Sequence, residues 1–182
     1  MTTHRKVIVH IAASADGYIA RADGDLEWLT SRPAPAGFYG VNDFVRSIDT
    51  KVLGRKTYEA SRRLGAKLDS RNRYIVFSRQ AAPGDTPSGV EFVTGDIAPF
   101  VRRLREQPGK DIWLMGGGDL IASFLDAGAI DEFVVSVVPV FIGDGIPLIA
   151  RRHRRVALTL QSVDRFDDGV VQLRYQVQGA AP

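Results

Sequence analysis

Two short segments combine glycine with residues that suit phosphate binding. Gly54-Arg55-Lys56-Thr57-Tyr58-Glu59 and Gly116-Gly117-Gly118 each follow a short apolar run and precede a run with helical spacing. Such a junction exposes backbone N–H groups at the positive end of a helix dipole, and glycine lets a phosphate approach the backbone. Two of them in one chain predict a site for a phosphate-rich dinucleotide. The alternatives are a glycine turn needed only for packing and a solvated basic turn.

Polar side chains near these junctions indicate which dinucleotide is bound. Ser78 and Arg79 follow another apolar run, and a hydroxyl beside a guanidinium suits a phosphate monoester. If Arg55 and Arg79 converge, the site favours NADPH over NADH. The Rossmann fingerprint is missing, because Ile121 stands where a third glycine is needed and no acidic residue follows about twenty positions later.

Other kinds of chemistry find less support in the sequence. The histidines lack metal-ligand spacing, so we expect no metal, and His10 lies within an apolar run that favours a core or cofactor-facing position. Hydrolase and Walker-type motifs are missing. The densest basic run, 151–155, reads as an exposed loop; a substrate phosphate or weak nucleic-acid contact are its sharper alternatives.

Composition limits the class of protein. A chain of 182 residues is most simply one domain, 1–182, and its charge of +3 is too small and dispersed to favour nucleic acid. The apolar run at 7–13 is too short to cross a bilayer. The chain has no cysteine, which excludes disulfides and is compatible with the cytoplasm. We expect a small-molecule substrate, and neither a nucleic-acid nor a membrane partner.

Alternating strand and helix patterns predict the elements that position these residues. The predicted strands are 6–13, 51–54, 73–78, 90–93, 111–115 and 133–140, with a closing antiparallel hairpin of 156–165 and 170–177. The predicted helices are 38–47, 56–64, one along Ile97 to Leu104 and one from Leu120 to its cap at Gly128. A long turn-rich loop at 14–35 is expected to be functional. This order predicts an α/β fold with a mostly parallel central sheet between helical layers.

Six segments in this order and spacing resemble the dihydrofolate reductase superfamily. They resemble in particular the branch that includes the reductase domain of the bacterial bifunctional riboflavin-biosynthesis deaminase-reductase. The segments are 14–20 (SADGYIA), 52–59 (VLGRKTYE), 75–79 (IVFSR), 116–118 (GGG), 130–132 (IDE) and 139–148 (PVFIGDGIPL). The resemblance runs from Val7 to Val177 and implies a three-layer αβα fold of the dihydrofolate reductase type.

The resemblance also implies roles for individual residues. It assigns the NADPH pyrophosphate and adenosine phosphate to Gly54, Arg55, Lys56 and Thr57, with Gly117, Gly118 and Leu120 cradling the pyrophosphate. It assigns the 2′-phosphate to Ser78 and Arg79, and the flanks of the nicotinamide to Ala13 and Ile19. Asp16 becomes a candidate catalytic residue beside the substrate, although it could be a plain turn aspartate. Asp16 and Glu27 are our candidates for the proton donor, or for the residue that orients a water.

One position departs from the folate-reducing members. They carry an acidic residue sixteen positions before the glycine of the Gly-Arg-Lys-Thr motif, and here that position is Phe38. A phenylalanine cannot relay a proton, so efficient folate reduction would need Asp25, Glu27 or Asp43 to take its place. The Asp-Gly-Tyr-Ile-Ala segment and the 139–148 segment favour the riboflavin-type branch.

We therefore expect an NADPH-dependent reductase similar to 5-amino-6-(5-phosphoribosylamino)uracil reductase, acting on a small heterocyclic or phosphorylated substrate. Because no deaminase pattern with zinc ligands precedes these motifs, we expect it to act without one. The alternatives are a dihydrofolate reductase, an NADPH-binding module without turnover, and a nucleic-acid binder. By analogy with related reductase domains, we expect a homodimer.

Overall fold

The computed structural model describes residues 4–33, 35–80, 84, 86–152 and 154–179. In chain order its elements are β1 (Val7–Ser14), β2 (Tyr18–Ala20), α1 (Glu27–Thr30), α2 (Val41–Ser47), β3 (Ile48–Gly54), α3 (Arg55–Arg63), β4 (Arg73–Phe77), β5 (Val90–Val93), α4 (Ile97–Arg105), β6 (Asp111–Gly116), α5 (Gly118–Asp126), β7 (Glu132–Val138), β8 (Ile146–Pro147), β9 (Leu158–Arg165) and β10 (Val171–Val177). None of the helices in these ranges has the length and apolar character needed to cross a membrane.

An eight-stranded sheet runs through the molecule in the order β5-β4-β3-β6-β1-β7-β10-β9. The strands from β5 to β7 pair in parallel, whereas β10 pairs antiparallel with both β7 and β9. The predicted α/β fold, with a mostly parallel sheet and a C-terminal antiparallel hairpin, is therefore confirmed. Because parallel strands end at one edge, the segments that follow β1, β3, β4 and β6 meet there.

Side chains that alternate along each strand build a core on both faces of the sheet. Val52 in β3 and Ile75 in β4 belong to the largest cluster, which Leu104 of α4 and Phe124 of α5 cover. Their strand neighbours Leu53, Tyr74 and Val76 point to the other face and pack with Tyr58 of α3. On that same face, Phe44 of α2 covers Ile8 of β1. The sheet thus lies between two helical layers, as predicted.

The structure differs most from the predicted elements in the segment 14–35 and at the start of α2. The segment 14–35 contains β2 and α1, and β2 pairs antiparallel with β8, a strand that the sequence pattern does not predict. Both strands are only two or three residues long, too short for alternation to be visible. The helix predicted over 38–47 begins at Val41, with Gly40 as its N-cap.

A left-handed turn explains the late start of α2. Gly37, Phe38, Tyr39 and Gly40 have φ values of 79°, 51°, 54° and 78°. Right-handed helical geometry is therefore excluded at these residues. The flanking glycines adopt such angles without strain, whereas two adjacent aromatic residues do so rarely.

Candidate cofactor and substrate site

The two glycine junctions lie side by side at the carboxyl edge of the sheet. They follow the neighbouring strands β3 and β6, which pair in parallel. A Cβ added to Gly54 would lie 3.8 Å from the carbonyl oxygen of Gly116, and one added to Gly117 would lie 3.4 Å from Thr57 Oγ1. The starts of α3 and α5 therefore face one ligand site together.

The N-termini of both helices are available to an anion. The N-cap residues are Gly54 for α3 and Gly117 for α5, and neither helix start has a side-chain cap. The N–H groups at the very start of an α-helix lack intrahelical partners, although in α5 the Leu120 amide donates to the Gly117 carbonyl. The helix dipole favours negative charge beside these groups. Two such termini next to each other fit a pyrophosphate, which carries more than one charge.

The three glycines at 116–118 are required for different reasons. Gly116 has a φ of +98°, which disfavours a side chain. A Cβ on Gly118 would approach the carbonyl oxygen of Pro147 to 2.3 Å, because the 147–150 segment packs against the start of α5. In addition, the Ala150 amide donates to the Gly118 carbonyl. The packing explanation therefore holds for Gly118, whereas the close neighbour of a Cβ on Gly117 would be the Thr57 hydroxyl oxygen.

Arg55 and Ser78 are brought together beside these junctions. The Arg55 Nη1 atom lies 3.5 Å from Ser78 Oγ, and its Nε donates to Glu59 at 2.8 Å. The guanidinium also lies 5.8 Å from the centre of the Phe92 ring, a cation–π distance. Lys56 and Arg79 are exposed next to this pair. A cation and a hydroxyl at one point fit a phosphate monoester, as the sequence predicts.

The remaining predicted cofactor residues lie on the face covered by α4 and α5. Ala13 is buried near the end of β1, and Ile19 and Leu120 pack against the same core cluster. Leu120 also donates its amide to the Gly117 carbonyl at 3.0 Å, which fixes the first turn of α5. These residues present an apolar floor beside the glycine junctions.

Asp16 holds a loop in place. Its carboxylate accepts hydrogen bonds from Ser14 Oγ at 2.6 Å and from the amides of Ile142 and Gly143 at 3.1 and 2.8 Å. The Ser14 hydroxyl and then these two amides lower the pKa of Asp16 below its usual range. Asp16 is consequently ionised at neutral pH and ties the end of β1 to the loop after β7. An ionised carboxylate has no proton to donate.

Glu27 is the first residue of α1 and is exposed. It lies beside the buried Trp28, whose indole N–H has no hydrogen-bond partner among the described residues. Within those residues no hydrogen bond links the Glu27 carboxylate to the contacts of Asp16. The structure therefore keeps the two candidate catalytic residues in separate networks.

The basic run and the buried histidine have structural contacts. Arg152 and Arg154 both pair with Asp126 of α5, at 2.5 and 2.7 Å, and lower the pKa of that carboxyl. His153 lies outside the described residues. His10 stacks on Phe44 at 4.7 Å, and burial lowers the pKa of its imidazole to about 4. The described residues contain no group of three acidic or histidine side chains that could hold a metal.

Comparison with known proteins decides the family. The model of the RibD C-terminal domain matches residues 5–172. The chain belongs to the RibD C-terminal domain family.

Relatives of this RibD C-terminal domain cover nearly all of it. The uncharacterized protein YwjB of Bacillus subtilis is 34% identical over 171 residues, which are 94% of this chain and 97% of that protein. The crystal structure of a protein of Shewanella sp. PV-4, provisionally assigned to riboflavin biosynthesis, has a TM-score of 0.83 and 27% identity. It covers 95% of this chain and 99% of its own.

Two more distant structures share the fold. The diaminohydroxyphosphoribosylaminopyrimidine deaminase/5-amino-6-(5-phosphoribosylamino)uracil reductase of Thermotoga maritima has a TM-score of 0.70 and 18% identity, over 96% of this chain and 57% of its own. Dihydrofolate reductase of Enterococcus faecalis, solved with NADP(H), has a TM-score of 0.64 and 17% identity, over 95% of this chain and 96% of its own. The dihydrofolate reductase-like fold expected from the sequence is thus confirmed.

Sequence reasoning missed the anchor of the left-handed turn in this RibD C-terminal domain. The Tyr39 hydroxyl donates to Asp168, which Arg32 also contacts, and the Tyr39 carbonyl accepts from Gln172 Nε2 at 3.0 Å. These partners come from the β9–β10 hairpin and the segment after α1, so no local pattern links them. The spacing of Gly37 and Gly40 is the one local signal of a turn there.

Proposed function

We propose that this protein is an NADPH-dependent reductase of the riboflavin-biosynthesis type. Its substrate is a small heterocyclic or phosphorylated compound of the class of 5-amino-6-(5-phosphoribosylamino)uracil. The observation that carries the proposal is the meeting of the two uncapped helix starts at Gly54 and Gly117, with Arg55 and Ser78 beside them. This arrangement fits a dinucleotide that carries an extra phosphate.

Each part of the site has a binding task. Gly54, Thr57 and Gly117 receive the pyrophosphate, and the N–H groups of the first helical turns donate to it. Arg55, with Ser78 and Arg79, binds the 2′-phosphate, and Ala13 with Ile19 flanks the nicotinamide. NADPH supplies the hydride when it is bound, so the protein contributes binding and orientation.

A proton must accompany the hydride. Asp16 is ionised and fully engaged with the 142–143 loop, so we assign it the positioning of that loop and of a water. Glu27 is the other candidate, exposed at the start of α1. We propose it as the donor, acting directly or through water.

Two proteins that share the fold support this assignment. The Thermotoga maritima protein is a deaminase/reductase of a phosphoribosylaminopyrimidine, and the Enterococcus faecalis enzyme was solved with NADP(H). Both share the fold of this chain.

The proposal is tested by titrating the protein with NADPH and NADH and then following oxidation of NADPH with a panel of substrates. We expect tighter binding of NADPH than of NADH, and oxidation with a phosphoribosylaminopyrimidine but not with dihydrofolate. Oxidation with dihydrofolate would favour a dihydrofolate reductase. Binding without oxidation by any pyrimidine, pterin or carbonyl compound would favour a module without turnover. A protein that binds neither dinucleotide would overturn the proposal.

A further inference from the structure

Phe38 is an aromatic residue whose side chain is exposed to solvent. Its side chain is 50% exposed, whereas the next residue, Tyr39, is 8% exposed. Both have positive φ, an arrangement that bulky residues rarely adopt. A strained conformation persists only where surrounding contacts enforce it, and such positions concentrate at functional sites.

The contacts that enforce the turn belong to Tyr39. Its ring packs edge-on against Phe166 at 5.0 Å and lies in a cluster with Trp28, Val138 and Val170. Its hydroxyl and carbonyl are hydrogen-bonded to Asp168 and Gln172. The ring of Phe38 has one aromatic neighbour among the described residues, Tyr39 at 5.9 Å. Folding therefore fixes the backbone of Phe38 without using its ring.

The turn lies at the substrate end of the proposed site. α2 runs back against the direction of β3, because its Phe44 packs on Ile8 and Ile48 at the starts of β1 and β3, whereas Tyr39 packs on Val138 at the end of β7. Its first residues, and the turn before them, consequently reach the carboxyl edge of the sheet. Gln172, which holds the turn, also donates to Ser136, whose partner on β1 is Ala12. Tyr39, next to Phe38, thus packs near the end of β1 on the face of Ala12, one residue before Ala13, which is proposed to flank the nicotinamide.

We infer that Phe38 determines substrate specificity by stacking on a flat heteroaromatic ring. This inference rests on the proposed function and names the substrate feature that the site recognises. An exposed aromatic face stacks favourably on planar rings and contributes little binding energy to aliphatic carbonyl compounds. The charges of Arg32 and Asp168, which hold the turn, pair with each other.

Binding of 5,6-diaminouracil, measured by calorimetry on protein saturated with NADP⁺, tests the inference. Phe38→Asn removes the ring with a residue that tolerates positive φ, so we expect binding to weaken about tenfold or more, with no fall in the thermal midpoint. Phe38→Tyr keeps the ring and should bind like the wild type. Leu64→Ala is the matched control, because Leu64 is 68% exposed at the end of α3 that points away from the site.

The outcomes separate this inference from the proposed function. Unchanged affinity in Phe38→Asn overturns the role of Phe38, even if the wild type reduces a pyrimidine. A wild type that binds no diaminouracil overturns it as well. Weakened binding in Phe38→Asn, with NADP⁺ affinity unchanged, supports it even if NADPH oxidation reveals another substrate.

Discussion

The side chain of Arg55 is held in position for binding a phosphate. Its guanidinium touches Glu59, Ser78 and the ring of Phe92, so its position is set from three directions. The carboxylate of Glu59 is half-exposed and lies one helical turn away, an arrangement that orients a guanidinium rather than burying it. A phosphate can therefore bind without first ordering a flexible side chain.

Arg55→Gln is expected to weaken NADPH binding much more than NADH binding. The substitution removes a charge-assisted contact, which contributes about 1.5–3 kcal/mol and corresponds to a loss of about 10- to 150-fold. Titration with each dinucleotide measures the difference. Arg62→Gln, on the exposed last turn of the same helix, is the control and should leave both affinities unchanged. Equal losses for the two dinucleotides would contradict a 2′-phosphate contact.

His10 is expected to make the stability depend on pH between about 6.5 and 4. Burial, and then the charge of Arg174, lower the pKa of its imidazole from 6.5 to about 4 in the folded state. The unfolded chain therefore binds the proton first as the pH falls, and stability is lost across that window. Denaturant unfolding at pH 7 and pH 4.5 should show about 2 kcal/mol of this loss.

His10→Gln supplies the comparison for that measurement. Glutamine does not titrate, so its pH dependence should be flatter than that of the wild type by the same amount. Carboxyls with lowered pKa values, such as Asp126, also contribute to the free energy of unfolding, and they lose that contribution at a pH below this window. Their effect is the same in both proteins and cancels in the comparison. Parallel curves for the two proteins would show that His10 does not titrate as expected.

The carboxylate of Asp16, just after β1, anchors the loop after β7 together with backbone hydrogen bonds. Asp16 accepts the amides of Ile142 and Gly143, and the Ala15 amide donates to the Val140 carbonyl at 2.9 Å. Further along, Leu148 donates its amide to the Gly17 carbonyl at 3.0 Å. The loop and the 14–17 turn consequently form one unit that borders the site.

Asp16→Ala should disturb this unit without abolishing proton transfer. We expect a lower thermal midpoint and a higher KM, with a pH profile of unchanged shape. Removal of a general acid typically lowers kcat by about 100- to 10,000-fold, and we expect a much smaller fall in kcat here. Asp23→Ala is the control, since Asp23 caps an exposed turn in the same segment. Loss of one limb of the pH profile would instead identify Asp16 as the proton donor.

At the level of elements, the sequence predicts what is local and periodic. The runs at 73–77 and 90–93 and the face of α4 carry their own pattern, so strands and helices there follow from period two or 3.6. The glycine junctions could likewise be predicted from the sequence, because each lies between a strand pattern and a helix pattern. The β2–β8 pair and the Tyr39 anchor could not be predicted, because each depends on contacts between residues more than a hundred positions apart.

At the scale of the whole molecule, one edge of the sheet is left with an apolar surface. β9 is the terminal strand, and Leu158, Leu160 and Val163 are 43%, 51% and 50% exposed on it. Their partners on β10 are Val177, Tyr175 and Leu173, so the three side chains share one face despite the bulge near Tyr175. An apolar stripe on an open edge strand is typical of a surface that another chain covers.

Leu160→Lys should therefore convert the expected homodimer into a monomer. A lysine in the centre of the stripe would have to be buried without a partner charge, which opposes association. Light scattering coupled to size-exclusion chromatography over a range of concentrations measures the mass directly. Thr159→Lys adds the same charge to the adjacent residue, which points to the opposite face of β9, and should leave the mass unchanged. A wild type that is monomeric throughout the range, or equal masses for the two variants, would assign the stripe no part in self-association.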